Sequence, residues 1–337
     1  MNRSSTFQTL GLRCLGYVTA LLIVVCFLFF TGAQPFRVLA SMLNGSVGSL
    51  NMLSDVMVLW VPLLLISSGL LVTFAGGMWN IGVEGQITLG AVFATGAMRA
   101  WQTSALPPWL LIVGALAAGI AGGMFWASLA GGLKIFGGVS EIFGGLGLNF
   151  VATTFTLWLV FGPWKRPGTG SMSGTDPFPE MLWLPTLGTT RLSGWMLLIA
   201  LAAVVMIWIL LHRTRFGLKL KAVGHNPKAA GLLGVPVRRQ LLGSLLICGG
   251  LAGLAGALQV AAVYHRLIPS ISSGYGFLGL LIVMLAHYRL PGVIAAAFLF
   301  AALNIGSIQL PIVYQMDSSL AGVLQGLLVL CVLMMNG

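Results

Sequence analysis

The sequence predicts an all-α membrane protein that crosses the bilayer about ten times and forms a single transmembrane domain over residues 1–337. Composition supports this fold class, because 58% of the residues are hydrophobic, only 7% are charged and the mean hydropathy is +1.00. Such values lie far outside the range of soluble domains. Apolar runs of about 20 residues, the length that crosses roughly 30 Å of hydrocarbon, also recur along the whole chain.

Ten apolar runs are candidates for transmembrane helices. The third and the eighth are short, so we expect them to be half-helices or parts of broken helices. The first follows Arg3 and Arg13 without a small-residue cleavage site closely after it, and we expect a retained helix there. In chain order the candidates are residues 15–33, 56–75, 87–100, 109–131, 140–161, 192–211, 241–263, 275–286, 292–308 and 320–335.

The orientation of the chain follows from its lysines and arginines. Residues 213–239 carry seven basic side chains and no acidic one. The positive-inside rule therefore predicts a cytoplasmic segment here. Counting spans outward from it places both termini in the cytoplasm and residues 162–191 outside. That outer segment is rich in proline, glycine and serine, and we expect either a docking surface for a partner or a simple connection.

A polar stretch between the second and third runs needs a physical reason. Asn80, Glu84 and Gln86 lie there among glycines, in a chain with only six acidic residues. A carboxylate at membrane depth costs about 2.5–3.5 kcal/mol, which favours a functional role for an acid at that depth. Clustered glycines break a helix, and a broken helix persists there only where protein or a water-filled cavity satisfies its backbone. We therefore predict that this stretch lines or braces a path through the membrane.

Two structural roles for Glu84 stay open beside that prediction. The carboxylate can cap the N-terminus of a half-helix, where an acid is favourable at the positive end of the helix dipole. It can also pair with an arginine that holds the broken helix together. The sequence favours neither of these structural roles over a role in lining the path.

The basic segment contains a second pattern. Residues 224–227 form a Gly-x-Asn-Pro turn, residues 228–233 favour a short helix, and Gly234 favours its end. Such a helix can seat in a groove on a cytoplasmic partner. The alternative is a solvated basic loop that only sets the topology. The side chains expected to face the partner are Ala229, Ala230, Leu232 and Leu233.

Several kinds of chemistry are excluded or disfavoured by the sequence. No glycine is followed by lysine, so a Walker A phosphate loop is excluded. The four histidines never lie three to five residues apart, and the four cysteines form no CxxC pair, which disfavours a metal site. The basic residues concentrate where topology requires them, so nucleic-acid binding is not expected. We expect no enzyme activity and no cofactor in this chain.

Four motifs in register give the chain a family resemblance. They are Asn80-Ile-Gly-Val-Glu-Gly-Gln86, Ser140-Glu-Ile142 leading to Leu148-Asn-Phe-Val-Ala152, Ala222-Val-Gly-His-Asn-Pro-Lys-Ala-Ala230, and Gly274-Tyr-Gly-Phe277. From about residue 55 to the C-terminus the chain resembles the permease subunits of ABC importers for simple sugars and nucleosides, the ribose-type superfamily. The Asn-Ile-Gly-x-Glu-Gly form resembles the nucleoside branch, because sugar-specific members typically carry an Ile-Asp-Leu-Ser-type sequence there. The chain departs from the pattern at residues 144–147, which are unusually rich in glycine.

The resemblance implies an ABC importer permease fold and a set of partners. These are a cytoplasmic ATPase with two nucleotide-binding domains that holds ATP and Mg²⁺, a second permease that is a different chain, and an extracytoplasmic substrate-binding protein. It also implies a bacterial cytoplasmic membrane, surrounding lipid, and purine nucleosides ahead of other nucleosides or simple sugars as the solute. The segment expected to meet the ATPase comprises Gly224, His225, Asn226, Pro227, Ala229, Ala230 and Gly234.

The residues expected to line or brace the path are Asn80, Glu84, Gln86, Glu141 and Asn149. Their neutral and acidic acceptors suit weak, transient contacts with the hydroxyls and ring nitrogens of a nucleoside. An ion-coupled secondary transporter also explains an acid among glycines, and a branched-chain amino-acid ABC permease shares the architecture. A scaffold without transport is the weakest alternative, because it needs no acid in a broken helix.

Overall fold

The computed structural model describes residues 34–168 and 174–314, together with the single positions 29, 322, 323 and 326. Apart from those single positions, the predicted spans 15–33 and 320–335 lie outside the described residues, as do both chain termini. The described part of the chain is helical and contains no strand.

The helices follow one another with short connections. A 3₁₀ turn lies at Glu180–Leu182, and a π-helical segment at Gln259–Tyr264 continues one of the long helices directly. In chain order the α-helices are α1 (Pro35–Val47), α2 (Leu50–Ala75), α3 (Val83–Trp101), α4 (Pro108–Ile135), α5 (Glu141–Phe161), α6 (Gly194–Arg213), α7 (Arg215–His225), α8 (Pro227–Leu232), α9 (Val237–Leu258), α10 (Tyr275–Leu285), α11 (Leu290–Ser307) and α12 (Gln309–Tyr314).

Six helical stretches among the described residues are long and apolar enough to cross a membrane: α2, α4, α5, α6, α9 with its π segment, and α11 with α12. The predicted count of about ten is therefore not confirmed, although each predicted run between residues 56 and 308 coincides with a helix. The eighth run is a half-length helix, α10, as expected. The third is longer than expected, because α3 includes the polar turn at Glu84 and Gln86, which the neighbouring helices bury.

Three of the described helices were not predicted: α1, α7 and the six-residue α12. The first two escaped prediction for identifiable physical reasons. Helix α1 has 13 residues and includes Arg37, Asn44 and Gly45, so it fails a test based on 20 apolar residues. Helix α7 lies inside the basic segment, where the charges indicate a loop. Its apolar positions Leu220 and Val223 are nevertheless buried, which anchors it to the rest of the chain.

The core forms around α2, of which 94% of the central apolar stretch is buried. Helix α9 packs against α2, and helices α3 and α4 pack against α9 and against each other through glycines that let their backbones approach closely. A Cβ at Gly123 would collide with the carbonyl oxygen of Gly249, and one at Gly253 with that of Gly119. Such close approach through small residues agrees with the way helices associate in lipid.

The long helices place the connecting segments on two faces of the molecule. One, here called the basic face, carries residues 213–239 and the end of α2, where Phe74 contacts Tyr288 with ring centres 5.1 Å apart. The opposite face carries Asp55, Arg191 and Arg266, which line a common cavity. The described residues of the two segments predicted on different sides of the membrane, 213–239 on the one hand and 162–168 with 174–191 on the other, therefore lie on different faces of the chain.

Candidate functional site

The predicted break in the helix is present between α2 and α3. Gly76 ends α2, and Gly77 adopts φ +75°, a left-handed conformation that glycine accommodates without strain. The chain then runs through residues 78–82 before α3 begins at Val83. Residues 76–82 thus form an irregular segment that needs hydrogen-bond partners from outside a helix.

Asn80 and Gln86 satisfy each other across this segment. The Asn80 Nδ2 donates to Gln86 Oε1, and the Gln86 Nε2 donates to Asn80 Oδ1, each over 3.0 Å. The same Asn80 nitrogen lies 3.2 Å from the Sγ of Cys248 on α9. Because both amides are buried and paired, they join the break to the start of α3 and to α9.

Asn149 on α5 holds the same segment from the other side. Its Oδ1 accepts the backbone N–H of Gly85 over 2.8 Å, and its Nδ2 donates to the carbonyl oxygen of Ile81 over 2.9 Å. One side chain therefore satisfies a backbone donor in the first turn of α3 and a backbone acceptor in the break. A Cβ at Gly85 would press against this amide and the Trp126 ring, so the contact requires glycine there.

Glu84 reaches a third element. Its Oε1 accepts the N–H of Gly274 over 2.9 Å and its Oε2 accepts the N–H of Gly276 over 2.7 Å. These donors lie at the N-terminus of the half-helix α10, and the glutamate is only 8% exposed. The capping role left open by the sequence is therefore the one that the geometry supports, and the capped helix is α10, about 190 positions along the chain.

Glu141 lies at the edge of this cluster. It begins α5, forms a salt bridge with Lys134 at the end of α4, and accepts a backbone hydrogen bond from Trp79 in the break. The structure thus brings together Asn80, Glu84, Gln86 and Asn149, and places Glu141 beside them at the basic face. The glycines at 144–147 do not break α5, and Gly145 instead allows close contact with Gly82.

The basic segment folds largely as predicted. The Asn226 side chain accepts the N–H of Ala229 over 3.0 Å and caps α8, and Gly234 adopts φ +80° just after that helix. Ala229 is exposed, and Leu232 and Leu233 are 91% and 83% exposed. The prediction that Ala230 faces a partner is wrong, because Ala230 is 3% exposed and packs into this chain.

Gly224 connects the basic segment to the break. It lies near the end of α7, directly against the end of α2, and a Cβ at this position would collide with the carbonyl oxygen of Ala75. Gly77 contacts the backbone of Gly224 from the other side. A displacement of α7 must therefore move the end of α2 or the irregular segment that follows it.

A cavity of about 600 Å³ opens at the opposite face, and no sequence motif predicted it. Gln259, Tyr264 and His265 line it from the π segment and the turn after it, and Tyr275 lines it from the start of α10. His265 adopts φ +54° and stacks on Trp183 with ring centres 3.8 Å apart. Burial lowers the pKa of the His265 imidazole and favours its neutral form.

Comparison with known proteins identifies the family to which the chain belongs. Residues 52–333 match the family described as "Branched-chain amino acid transport system / permease component". The chain belongs to this permease family. Among its relatives is the glucose ABC transporter permease protein TsgB13 of Haloferax volcanii, 31% identical over 288 residues that make up 82% of this chain and 75% of the relative.

Two further relatives transport nucleosides according to their names. The guanosine ABC transporter permease protein NupP of Bacillus subtilis is 30% identical over 298 residues, which cover 86% of this permease and 83% of the relative. The nucleoside ABC transporter permease protein NupB of Lactococcus lactis is 25% identical, with 87% and 81% covered. The resemblance found in the sequence motifs is confirmed, and the permease is an integral membrane component of an ABC transporter.

Proposed function

We propose that this permease is the membrane-spanning subunit of an ATP-driven importer that carries a nucleoside, with purine nucleosides first and simple sugars next. A substrate-binding protein delivers the solute at the opposite face, and a second permease completes the path. A partner ATPase holds ATP and Mg²⁺, because this chain offers no Walker A loop. The basic face then lies in the cytoplasm, with both termini, and the membrane is the bacterial cytoplasmic membrane.

One observation carries the proposal beyond family membership: the basic segment is in direct contact with a braced break in the membrane-embedded part of the chain. Gly224 touches the end of α2, and Asn80 and Asn149 hold the break after α2 to α9 and α5. Glu84 holds the first turn of α3, directly after the break, to α10. A push on α7 and α8 therefore reaches rigid elements, as a conformational transport cycle requires. In this proposal the side chains of Asn80, Glu84, Gln86 and Asn149 brace the path.

Helix α8 supplies the test of this coupling role. Changing Ala229 to glutamate puts a bulky charge on an exposed surface that we assign to the ATPase contact. We expect substrate-stimulated ATP hydrolysis by the assembled importer to fall by about tenfold, the factor for roughly 1.4 kcal/mol of lost contact. The permease should still insert and assemble, because Ala229 is exposed in the chain.

The matched control is Ala105→Glu, which makes the same substitution at an exposed position in the turn after α3, outside the basic segment. ATP hydrolysis should remain at the wild-type level in that variant. Full stimulation in Ala229→Glu would remove the coupling role from α8.

A second candidate solute is a branched-chain amino acid, because the matching family carries that description. Uptake competition by nucleosides, sugars and amino acids separates the candidates. We expect nucleosides to compete most strongly, since two of the three relatives described above are named for them. Competition by leucine or valine alone would favour the amino-acid candidate.

A further inference from the structure

The cavity at the opposite face has a polar wall that none of the bracing interactions uses. Gln259, Tyr264 and Tyr275 form this wall, where the π segment meets the start of α10. π-helical segments are rare and concentrate at functional sites. The wall therefore occupies the junction between a distorted long helix and a half-helix, where transport proteins commonly place solute sites.

Gln259 is the residue that points to a ligand. Its side chain is 2% exposed, lines the cavity, and carries an Oε1 without a hydrogen-bond partner among the described residues. Leaving a buried acceptor unpaired costs free energy, so such atoms call for a partner that binds there. The missing partner must supply an N–H or O–H donor.

The charges around the cavity restrict the class of ligand. Asp55, Arg191 and Arg266 also line it, so both signs of charge are present, while the wall of Gln259, Tyr264 and Tyr275 consists of polar side chains of other kinds, an amide and two phenols. No field of a single sign is available to select an ion. The aromatic rings and the amide instead suit a neutral solute with hydroxyl or ring N–H groups.

The wall of the cavity is also in contact with the elements that the bracing side chains hold. Tyr275 begins α10, the helix whose neighbouring N–H groups are held by Glu84. On the other side, the N–H of Phe178 donates to the His265 carbonyl oxygen and the N–H of Leu184 to that of Ala261, each over 2.9–3.0 Å. A partner that docks on residues 174–184 therefore binds to a segment that is hydrogen-bonded to the residues of the wall.

We propose that this cavity is the outer solute-binding station of the permease and that Gln259 accepts a hydrogen bond from a neutral hydroxyl- or N–H-bearing solute. The inference rests on the proposed importer function. A nucleoside and a simple sugar share the required chemistry, and the experiment below distinguishes them.

The test compares two buried glutamines of the same helical stretch in the complete importer, reconstituted with its ATPase, second permease and binding protein. Gln240 on α9 also has an unpartnered Oε1, but it lies outside the cavity. We expect Gln259→Met to reduce uptake of labelled nucleosides or sugars by about fivefold, the factor for one lost hydrogen bond. Gln240→Met should leave uptake unchanged. Equal uptake in the two variants would overturn the inference.

A second measurement does not require that the Gln259→Met variant folds and assembles normally. Val263 is half-buried and lines the cavity, so Val263→Cys should react with a membrane-impermeant thiol reagent applied from outside. We expect saturating guanosine to slow this reaction, and slowing by glucose instead would support the site while identifying a sugar as the solute. Reaction that neither solute slows would refute the site. If the wild-type importer takes up neither class, the proposed function fails as a whole.

Discussion

At the scale of single residues, Glu84 is the most constrained group in the permease. It is the acid that the sequence singled out, and its two oxygens accept the N–H groups of Gly274 and Gly276. Hydrogen bonds to a charged acceptor contribute about 1.5–3 kcal/mol each, which can offset much of the cost of holding the acid at membrane depth. A bracing role therefore predicts a loss of stability when the charge is removed.

Replacing Glu84 with glutamine tests this role. Glutamine keeps one acceptor but turns an amide N–H₂ toward a backbone donor, so we expect the purified complex to lose about 1.5–3 kcal/mol of stability. Thermal unfolding of the assembled complex in detergent provides the measurement. The matched control is Glu180→Gln, at an exposed acid in the 3₁₀ turn, which should change nothing. Normal stability with lost uptake in the Glu84 variant would assign the acid to the path instead.

At the scale of elements, the contact between α7 and the end of α2 is the narrowest link between the basic segment and the break. Alanine at Gly224 places a methyl group against the backbone of Ala75, which cannot move aside without shifting α2. We expect Gly224→Ala to lower substrate-stimulated ATP hydrolysis and uptake together.

The control for this change lies on α4, outside the basic segment. A Cβ at Gly132 meets no atom within 4 Å, so Gly132→Ala should behave as wild type. Both quantities are measured on the reconstituted importer. Equal activity of the two variants would show that the close approach at Gly224 does not transmit the motion.

Local signals made several elements predictable. The cap of α8 was predictable because Asn226, Pro227 and Gly234 act within a few residues of one another. The break after α2 was predictable because glycines cluster beside polar residues. In contrast, the partner of Glu84 lies 190 residues away, and only the packed fold brings it near.

The features that the sequence did not predict escaped prediction for equally specific reasons. Helix α8 is only six residues long, which is too short for a periodic pattern to show that Ala230 faces inward. The cavity around Gln259 combines side chains from distant parts of the chain, so no local sequence motif predicts it. The path role of Glu141 stays a prediction, and the salt bridge of Glu141 with Lys134 joins the ends of two consecutive helices beside the break.

At the scale of the whole molecule, the basic segment lies on one face, the cavity on the other, and the braced break lies between them. This arrangement gives a continuous series of contacts from α7 to α10. In the importer that we propose, a separate ATPase acts on the basic face, and this chain is the permease component, as the description of its family states.

The most direct test is solute uptake into proteoliposomes that contain this permease with and without its partner subunits. The account predicts uptake of a nucleoside or sugar only when the ATPase, second permease, binding protein and ATP are all present, and no effect of an ionophore. Uptake by this chain alone, driven by a proton or sodium gradient and abolished by an ionophore, would contradict it.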